Sequence, residues 1–256
     1  MGYQSIFKRY ELKYLISREQ YVCLKMLLSE YMVPDKYGKS TICNIYFDTT
    51  DRLLIRRSIE KPEYKEKLRW RSYGVADDSS ETFIELKKKY ESVVYKRRVA
   101  FSNKEAEEYL IYRKNKLNEL ENNNGPYKTV QIIKEIDYIF SLYQGLMPAE
   151  FISYEREAFY GKQDREFRLT FDQNILCRDY DLDLRKGIYG QKILKDDEII
   201  LEVKTATAIP LWLTKFMSDN HIYKTSFSKY GTIYKKRIQN TEGEYYYVRQ
   251  NISGSF

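Results

Sequence analysis

"ETFIELKKKYESVVYKRR", residues 81–98, reads as two strand-like pieces around a turn at Glu91-Ser92. Glu85, Lys87 and Lys89 stand two apart, and so do Lys96 and Arg98. Successive side chains of a strand point to opposite faces, so each set shares one face. A hairpin that commits a whole face to Lys, Arg and a single Glu needs a reason, and that reason decides the fold.

The pattern recurs. "YELKY" (10–14) sets Glu11 and Lys13 against Tyr10, Leu12 and Tyr14, and "KLRWR" (67–71) sets Lys67, Arg69 and Arg71 against Leu68 and Trp70. "EFRLTFD" (166–172) opposes Glu166, Arg168 and Asp172 to Phe167, Leu169 and Phe171, and "ILEVK" (200–204) opposes Glu202 and Lys204 to Leu201 and Val203. An antiparallel sheet with one wet face accounts for any one segment. Their repetition, with cations outnumbering acids, points to a closed or nearly closed barrel. Apolar residues face outward under helices and charges line the interior.

Cations crowded into such a lumen repel one another and call for a polyanion. Guanidinium forks and ammonium groups grip phosphate oxygens. The few glutamates then become candidate ligands for Mg²⁺ or Mn²⁺, which take carboxylate and phosphate oxygens together. Arg69 and Arg71, flanking Trp70, are the strongest candidates, followed by Lys87 and Lys96 on facing strands. Lys89, Arg97 and Arg98 read equally well as rim charges. Glu202 is either a metal ligand or an ion-pair partner of Lys204. Tyr154 either stacks on an adenine or packs in the wall.

Composition sets the outer bounds. The 256 residues are 43% hydrophobic and 32% charged, which fits one folded α+β domain. The excess of Lys and Arg over Asp and Glu, 44 − 37 = +7, favours an anionic partner. The three cysteines form no CxxC pair, so a reducing cytoplasm is expected. No apolar run reaches membrane-spanning length, and Ser5 in "MGYQSI" is one position short of a myristoylation pattern. Capping-box spacing at Ser17/Gln20 and Ser102/Glu105 predicts helices over 17–32 and from 102 to about Leu120, the second ending at "ENNNGP". A stripe of Ile132, Ile133, Ile136 and Phe140 predicts a helix after Thr129, and 207–220 reads as another with Pro210 in its first turn. "TICNIYFDT" (41–49) and much of 151–204 read as strand, with "YDLDLRKGIYG" (180–190) as loop. The expected organisation is a single domain over 1–240 and a tail, 241–256, in which "EYYYV" adds one strand at most.

The segments "YELKYLI", "NIYFDT", "KLRWRSYG", "FIELKKK", "VVYKRR", "ISYEREAF", "FRLTFD", "LEVK" and "SFSKYG" occur in the order seen in VTC domains. These are polyphosphate polymerase domains of the triphosphate tunnel metalloenzyme superfamily, and this chain resembles the free-standing bacterial type over residues 5–237. The resemblance implies an antiparallel β-barrel tunnel of about eight strands with helices around the outside, and a divalent metal, usually Mn²⁺. It implies phosphate binding by Lys13, Arg69, Arg71, Lys87, Lys96, Arg156, Arg168, Lys204 and Lys229, with Arg69, Arg71, Lys87, Arg156 and Lys204 carrying catalysis. Glu202 matches the metal-binding glutamate, with Glu85 as a second metal candidate. Ser226 stands where eukaryotic polymerase subunits tend to carry a lysine, for which Lys224 is a substitute. Their SPX domain and membrane segments have no counterpart in this sequence.

The expected activity is transfer of the ATP γ-phosphate to a growing polyphosphate chain. No Ser-His-Asp or Cys-His set and no Walker A loop is present, but phosphoryl transfer depends on positioning and electrostatics rather than on a protein nucleophile. A tripolyphosphate or nucleoside triphosphate hydrolase on the same scaffold is the first alternative, with Glu11 as a conceivable base. A non-catalytic binder of polyphosphate or RNA is the second. The aromatics lie mostly opposite the cations, which disfavours nucleic acid.

Overall fold

The computed structural model describes residues 10–60, 62–91 and 93–239. The 241–256 tail with "EYYYV", Ser5 and the turn residue Ser92 lie outside the described residues. The chain opens with β1 (Tyr10–Ser17), α1 (Arg18–Tyr31), β2 (Met32–Asp48) and α2 (Leu53–Ile59). Strand β3 (Tyr64–Tyr73) leads into the hairpin of β4 (Glu81–Tyr90) and β5 (Val93–Ser102). Three helices follow, α3 (Asn103–Leu110), α4 (Lys116–Asn122) and α5 (Tyr127–Leu142). The second half holds β6 (Met147–Gly161), β7 (Arg168–Arg178), β8 (Gln191–Lys192), β9 (Glu198–Thr205), α6 (Leu211–Asp219) and β10 (Lys224–Thr225). Residues 229–239 form a last helix, α7.

All pairings are antiparallel, in the order β10-β1-β9-β7-β6-β2-β3-β4-β5, with the short β8 on β7. The sheet curls without closing. Its edge strand β5 comes round to β1, which carries the two-residue β10 along part of its length, and Lys96 on β5 reaches Glu11 on β1 at 3.8 Å. The expected α+β tunnel is thus present, with ten strands among the described residues, two of them only two residues long.

Alternation sorts each strand's residues. One outer core gathers Ile45, Leu68, Trp70, Ile84, Leu86 and Val99 from β2–β5 under Tyr109 of α3 and Ile133, Ile136 and Ile139 of α5. A second gathers Tyr14, Ile16, Leu169, Phe171, Leu201 and Val203 under Leu24 and Leu28 of α1 and Leu213 of α6. A third cluster occupies the concave side, where Tyr230 and Ile233 of α7 meet Tyr46, Ile152, Ile200 and Ile55. Helix α7 therefore enters one end of the barrel. The Tyr230 hydroxyl donates to Asp48 Oδ2 at 2.9 Å, and the same carboxylate accepts from the backbone amides of Leu54 (2.8 Å) and Ile55 (3.0 Å). One fully buried carboxylate thus starts α2 and anchors α7.

Both capping boxes form: Gln20 N donates to Ser17 Oγ at 3.1 Å and Glu105 N to Ser102 Oγ at 3.3 Å, and each partner side chain reaches back. The helix expected from 102 to Leu120 is instead two. Arg113 adopts a left-handed φ of 56°, and Asn115 caps a fresh start by accepting from Asn118 N at 3.0 Å. Pro126 and Pro210 each sit immediately before a helix rather than inside it, their carbonyls accepting from the first turn. The 180–190 loop wraps the buried Arg178, which donates to the carbonyls of Asp181, Gly187 and Tyr189. Leu24 is fully buried between α1 and the sheet. Leu24→Ala should cost about 2–5 kcal/mol in urea denaturation, while Ser17→Ala should cost about 1 kcal/mol through the lost cap.

Candidate functional site

Strand register brings the cations to one concave surface. Lys13 lies opposite Glu202, Glu11 opposite Lys204, and Arg168 opposite Lys204 on the other side. Arg156 lies opposite Asp172, Arg69 opposite Glu85, and Glu85 opposite Arg98. Across three successive strands Lys67, Lys87 and Lys96 stand in a row. Arg97 and Lys88 face the other way, both binding Glu135 of α5 at 3.1 Å on the outside. The face of the opening hairpin that carries Glu85, Lys87, Lys96 and Arg98 is luminal.

Each luminal carboxylate is shared among cations. Glu85 holds Arg69 at 2.5 Å, Arg71 at 3.5 Å and Arg98 at 3.7 Å. Glu202 holds Lys204 at 2.6 Å and Lys13 at 3.7 Å, and Lys13 also reaches Glu11 at 3.6 Å. Asp172, fully buried, takes a bidentate fork from Arg156 at 2.6 and 2.7 Å and an ion pair from Lys229 at the start of α7. Burial pushes these carboxyls up, but the neighbouring cations more than reverse it, so Glu85, Glu202 and Asp172 are all held below the usual range. Arg71 is fixed by Asn44, donating Nε to its Oδ1 at 2.8 Å. Arg168 lies over Tyr160, 4.8 Å from the ring centre, and its buried Nε has no hydrogen-bond acceptor among the described residues. An inward donor without an acceptor suits an anion.

Tyr154, the expected adenine neighbour, lies in the wall, 3% exposed. Lys229 is 4.1 Å and Arg156 5.2 Å from its ring centre. The two metal candidates lie apart in their contacts: Glu85 among arginines, Glu202 among lysines. Glu202's carboxylate neighbour is Glu11, which shares Lys13 with it. Mg²⁺ and Mn²⁺ bind through one or two carboxylates together with phosphate oxygens, and the Glu202–Glu11 pair fits that demand. No group of three or more His, Cys, Asp or Glu that could cage a metal occurs among the described residues.

Sequence reasoning placed Asp172 and Lys67 on the charged face without giving them roles, and it missed Tyr46. The Tyr46 phenol accepts from Arg69 Nη1 at 3.2 Å. Burial raises its pKa, and the charges of Arg69 and Lys67 bring it down to about 8. Burial, together with Lys87, Lys65 and Lys13, brings Lys67 down to about 8 as well, against the opposing pull of Tyr46. Lys67 shares the β3 face that carries Arg69, whereas Tyr46 stands opposite Arg69 on β2, a pairing that no local pattern announces.

A curled antiparallel sheet with a cationic lumen and helices outside defines the triphosphate tunnel class of fold. A solved structure with this fold, a candidate adenylyl cyclase from Hippeastrum that reveals a dominant triphosphatase activity, aligns with TM-score 0.52 at 16% identity, over 88% of this chain and 95% of that one. A candidate adenylate cyclase from Vibrio parahaemolyticus aligns at TM-score 0.44 and 13% identity, covering 88% and 97%. The family model described as VTC domain matches residues 8–237, and the chain belongs to that family. No curated protein sequence matches it. Family and fold together support a tunnel-fold enzyme for polyphosphate-type substrates that depends on a divalent metal. No helix among the described residues is long and apolar enough to cross a membrane.

Two outcomes follow from this geometry. The Tyr46–Lys67 pair passes from net positive to net negative as pH rises through about 8, so triphosphate affinity should fall between about pH 7 and 9 in calorimetric titrations. Asp172→Asn strips Arg156 and Lys229 of their shared counter-charge and should cost about 3–5 kcal/mol in urea denaturation. Added triphosphate should restore part of that loss.

Proposed function

We propose that this protein is a metal-dependent polyphosphate polymerase that transfers the γ-phosphate of ATP to the end of an inorganic polyphosphate chain, acting in the cytoplasm. One observation carries the reading: the luminal carboxylates are each shared between cations, so a phosphate chain entering the lumen meets donors already oriented and only partly neutralised. Arg69 and Arg71 are held by Glu85, Tyr46 and Asn44, and need no reorganisation to grip equatorial phosphate oxygens. Arg156 and Lys204 stand on the opposite wall, positioned by Asp172 and Glu202. Lys13, Lys87, Lys96, Arg168 and Lys229 extend the same surface along the chain. Each charge-assisted contact contributes about 1.5–3 kcal/mol, and contacts that tighten as charge spreads over the transferring group lower the barrier.

Mn²⁺ or Mg²⁺, when bound, neutralises phosphate charge and aligns the reacting oxygens. Glu202, with Glu11 beside it, is the residue that would hold it, and Glu85 is the second candidate. The attacking group is a terminal phosphate oxygen of the bound chain, its bond to the γ-phosphorus forms as the bond to the β-phosphate oxygen breaks, and ADP leaves. A triphosphate hydrolase is the alternative, favoured by the likeness in fold to a protein with triphosphatase activity. There water takes the place of the chain end, and Glu11 is the candidate base for its proton.

Incubation with ATP and Mn²⁺, followed by gel electrophoresis and phosphate-release assays, separates the two. Long chains with stoichiometric ADP support the polymerase, whereas free phosphate without chains assigns the hydrolase. Glu202→Gln should abolish metal-dependent turnover while retaining triphosphate affinity within about tenfold, because the lysines and arginines remain. Normal turnover with an unaltered Mn²⁺ titration in that variant would remove Glu202 from the metal site.

A further inference from the structure

Lys67 is a luminal cation without a counter-charge. Its Nζ donates to Ser228 Oγ at 3.2 Å, and no carboxylate lies within 4 Å among the described residues. It stands directly opposite Lys87, which likewise has no such carboxylate, and Lys87 stands opposite Lys96. Like charges directly across a sheet are destabilising, so this row costs the fold energy. Ser228 opens α7, accepting from Gly231 N at 3.3 Å through its hydroxyl and from Thr232 N at 2.7 Å through its carbonyl. The positive end of that helix therefore faces the same place.

Beside Lys67 the packing is tight. The rings of Tyr46 and Tyr230 lie 5.2 Å apart and, with Phe47, Leu54 and Ile55, enclose a space that admits no water molecule. A phosphate group that reaches Lys67 meets these packed side chains rather than open space on that side, which suits a chain end better than an internal unit. An end phosphoryl carries one more free oxygen than an internal one, and a further charge near neutral pH. It is the group that needs an additional ammonium and hydroxyl donor.

Resting on the condensed-phosphate reading of the lumen, we propose that Lys67, Ser228 Oγ and the Tyr46 hydroxyl form an end-group subsite that selects a terminal phosphoryl over an internal one. This makes Lys67 a specificity residue, distinct from the wall cations that grip the chain wherever it lies. The site therefore prefers linear condensed phosphates to cyclic ones of the same phosphate count.

Calorimetric titration of the full chain without divalent metal, using tripolyphosphate and its cyclic counterpart trimetaphosphate, tests this. The wild type should bind the linear ion at least about tenfold more tightly, and Lys67→Met should narrow that ratio by about tenfold through loss on the linear ion alone. The ligand-free variant should melt about 2–4 °C higher, because an uncompensated ammonium is gone. Ser228→Ala should weaken linear binding about two- to fivefold with cyclic binding unchanged. Equal losses on both ions in Lys67→Met, or unchanged linear affinity in both variants, would overturn the subsite while leaving the tunnel reading intact. A wild type that binds neither ion would overturn the reading beneath it.

Discussion

Too few carboxylates serve too many cations in one confined space, and the rest of the structure is organised around that shortage. Glu85 is divided among three arginines, Glu202 between two lysines, and Asp172 between Arg156 and Lys229. Removing a lone exposed ion pair costs little, but buried charges that lose a shared partner are expensive. Each acid therefore fixes several donors in place without fully cancelling them. The apolar cladding follows from the same alternation: beside Lys13, Arg69, Lys87 and Lys204, neighbouring positions send Leu12, Leu68 and Trp70, Leu86 and Val203 outward to the helices.

Much of this was legible in the sequence because period two is a local property. "FIELKKK", "KLRWR" and "LEVK" each divide into a charged and an apolar face before any partner strand is known, and the structure keeps those faces. Capping boxes at Ser17 and Ser102 are local too, and both form. What escaped depends on contacts distant in the chain. Helix α2 begins because Asp48 accepts two of its amides, and α7 is held by Tyr230 on that same carboxylate. The break between α3 and α4 was hidden inside an amphipathic run, where Asn115 reads as an ordinary polar residue until it caps.

The site shows the same division. Arginines and lysines announce themselves by type and spacing, but their partners do not. Asp172 looked like one more acid in "FRLTFD", yet its burial and its two cations make it the anchor of one wall. Tyr46 was one of 26 tyrosines, and only its contact with Arg69 sets it apart. Glu11 gains meaning from Lys13, which it shares with Glu202 across the β1–β9 pair.

The unclosed seam between β5 and β1 has a mechanical consequence. Everywhere else around the wall, backbone hydrogen bonds hold neighbouring strands at a spacing of about 4.8 Å. At the seam Glu11 faces Lys96 in a half-exposed ion pair and feels the charge of Lys87. The wall behaves as a split ring, stiff along most of its circumference and compliant at one gap. Parting that gap breaks weak, salt-screened contacts rather than a ladder of hydrogen bonds. An anion that competes with Glu11 for Lys96 therefore weakens the contact at that gap.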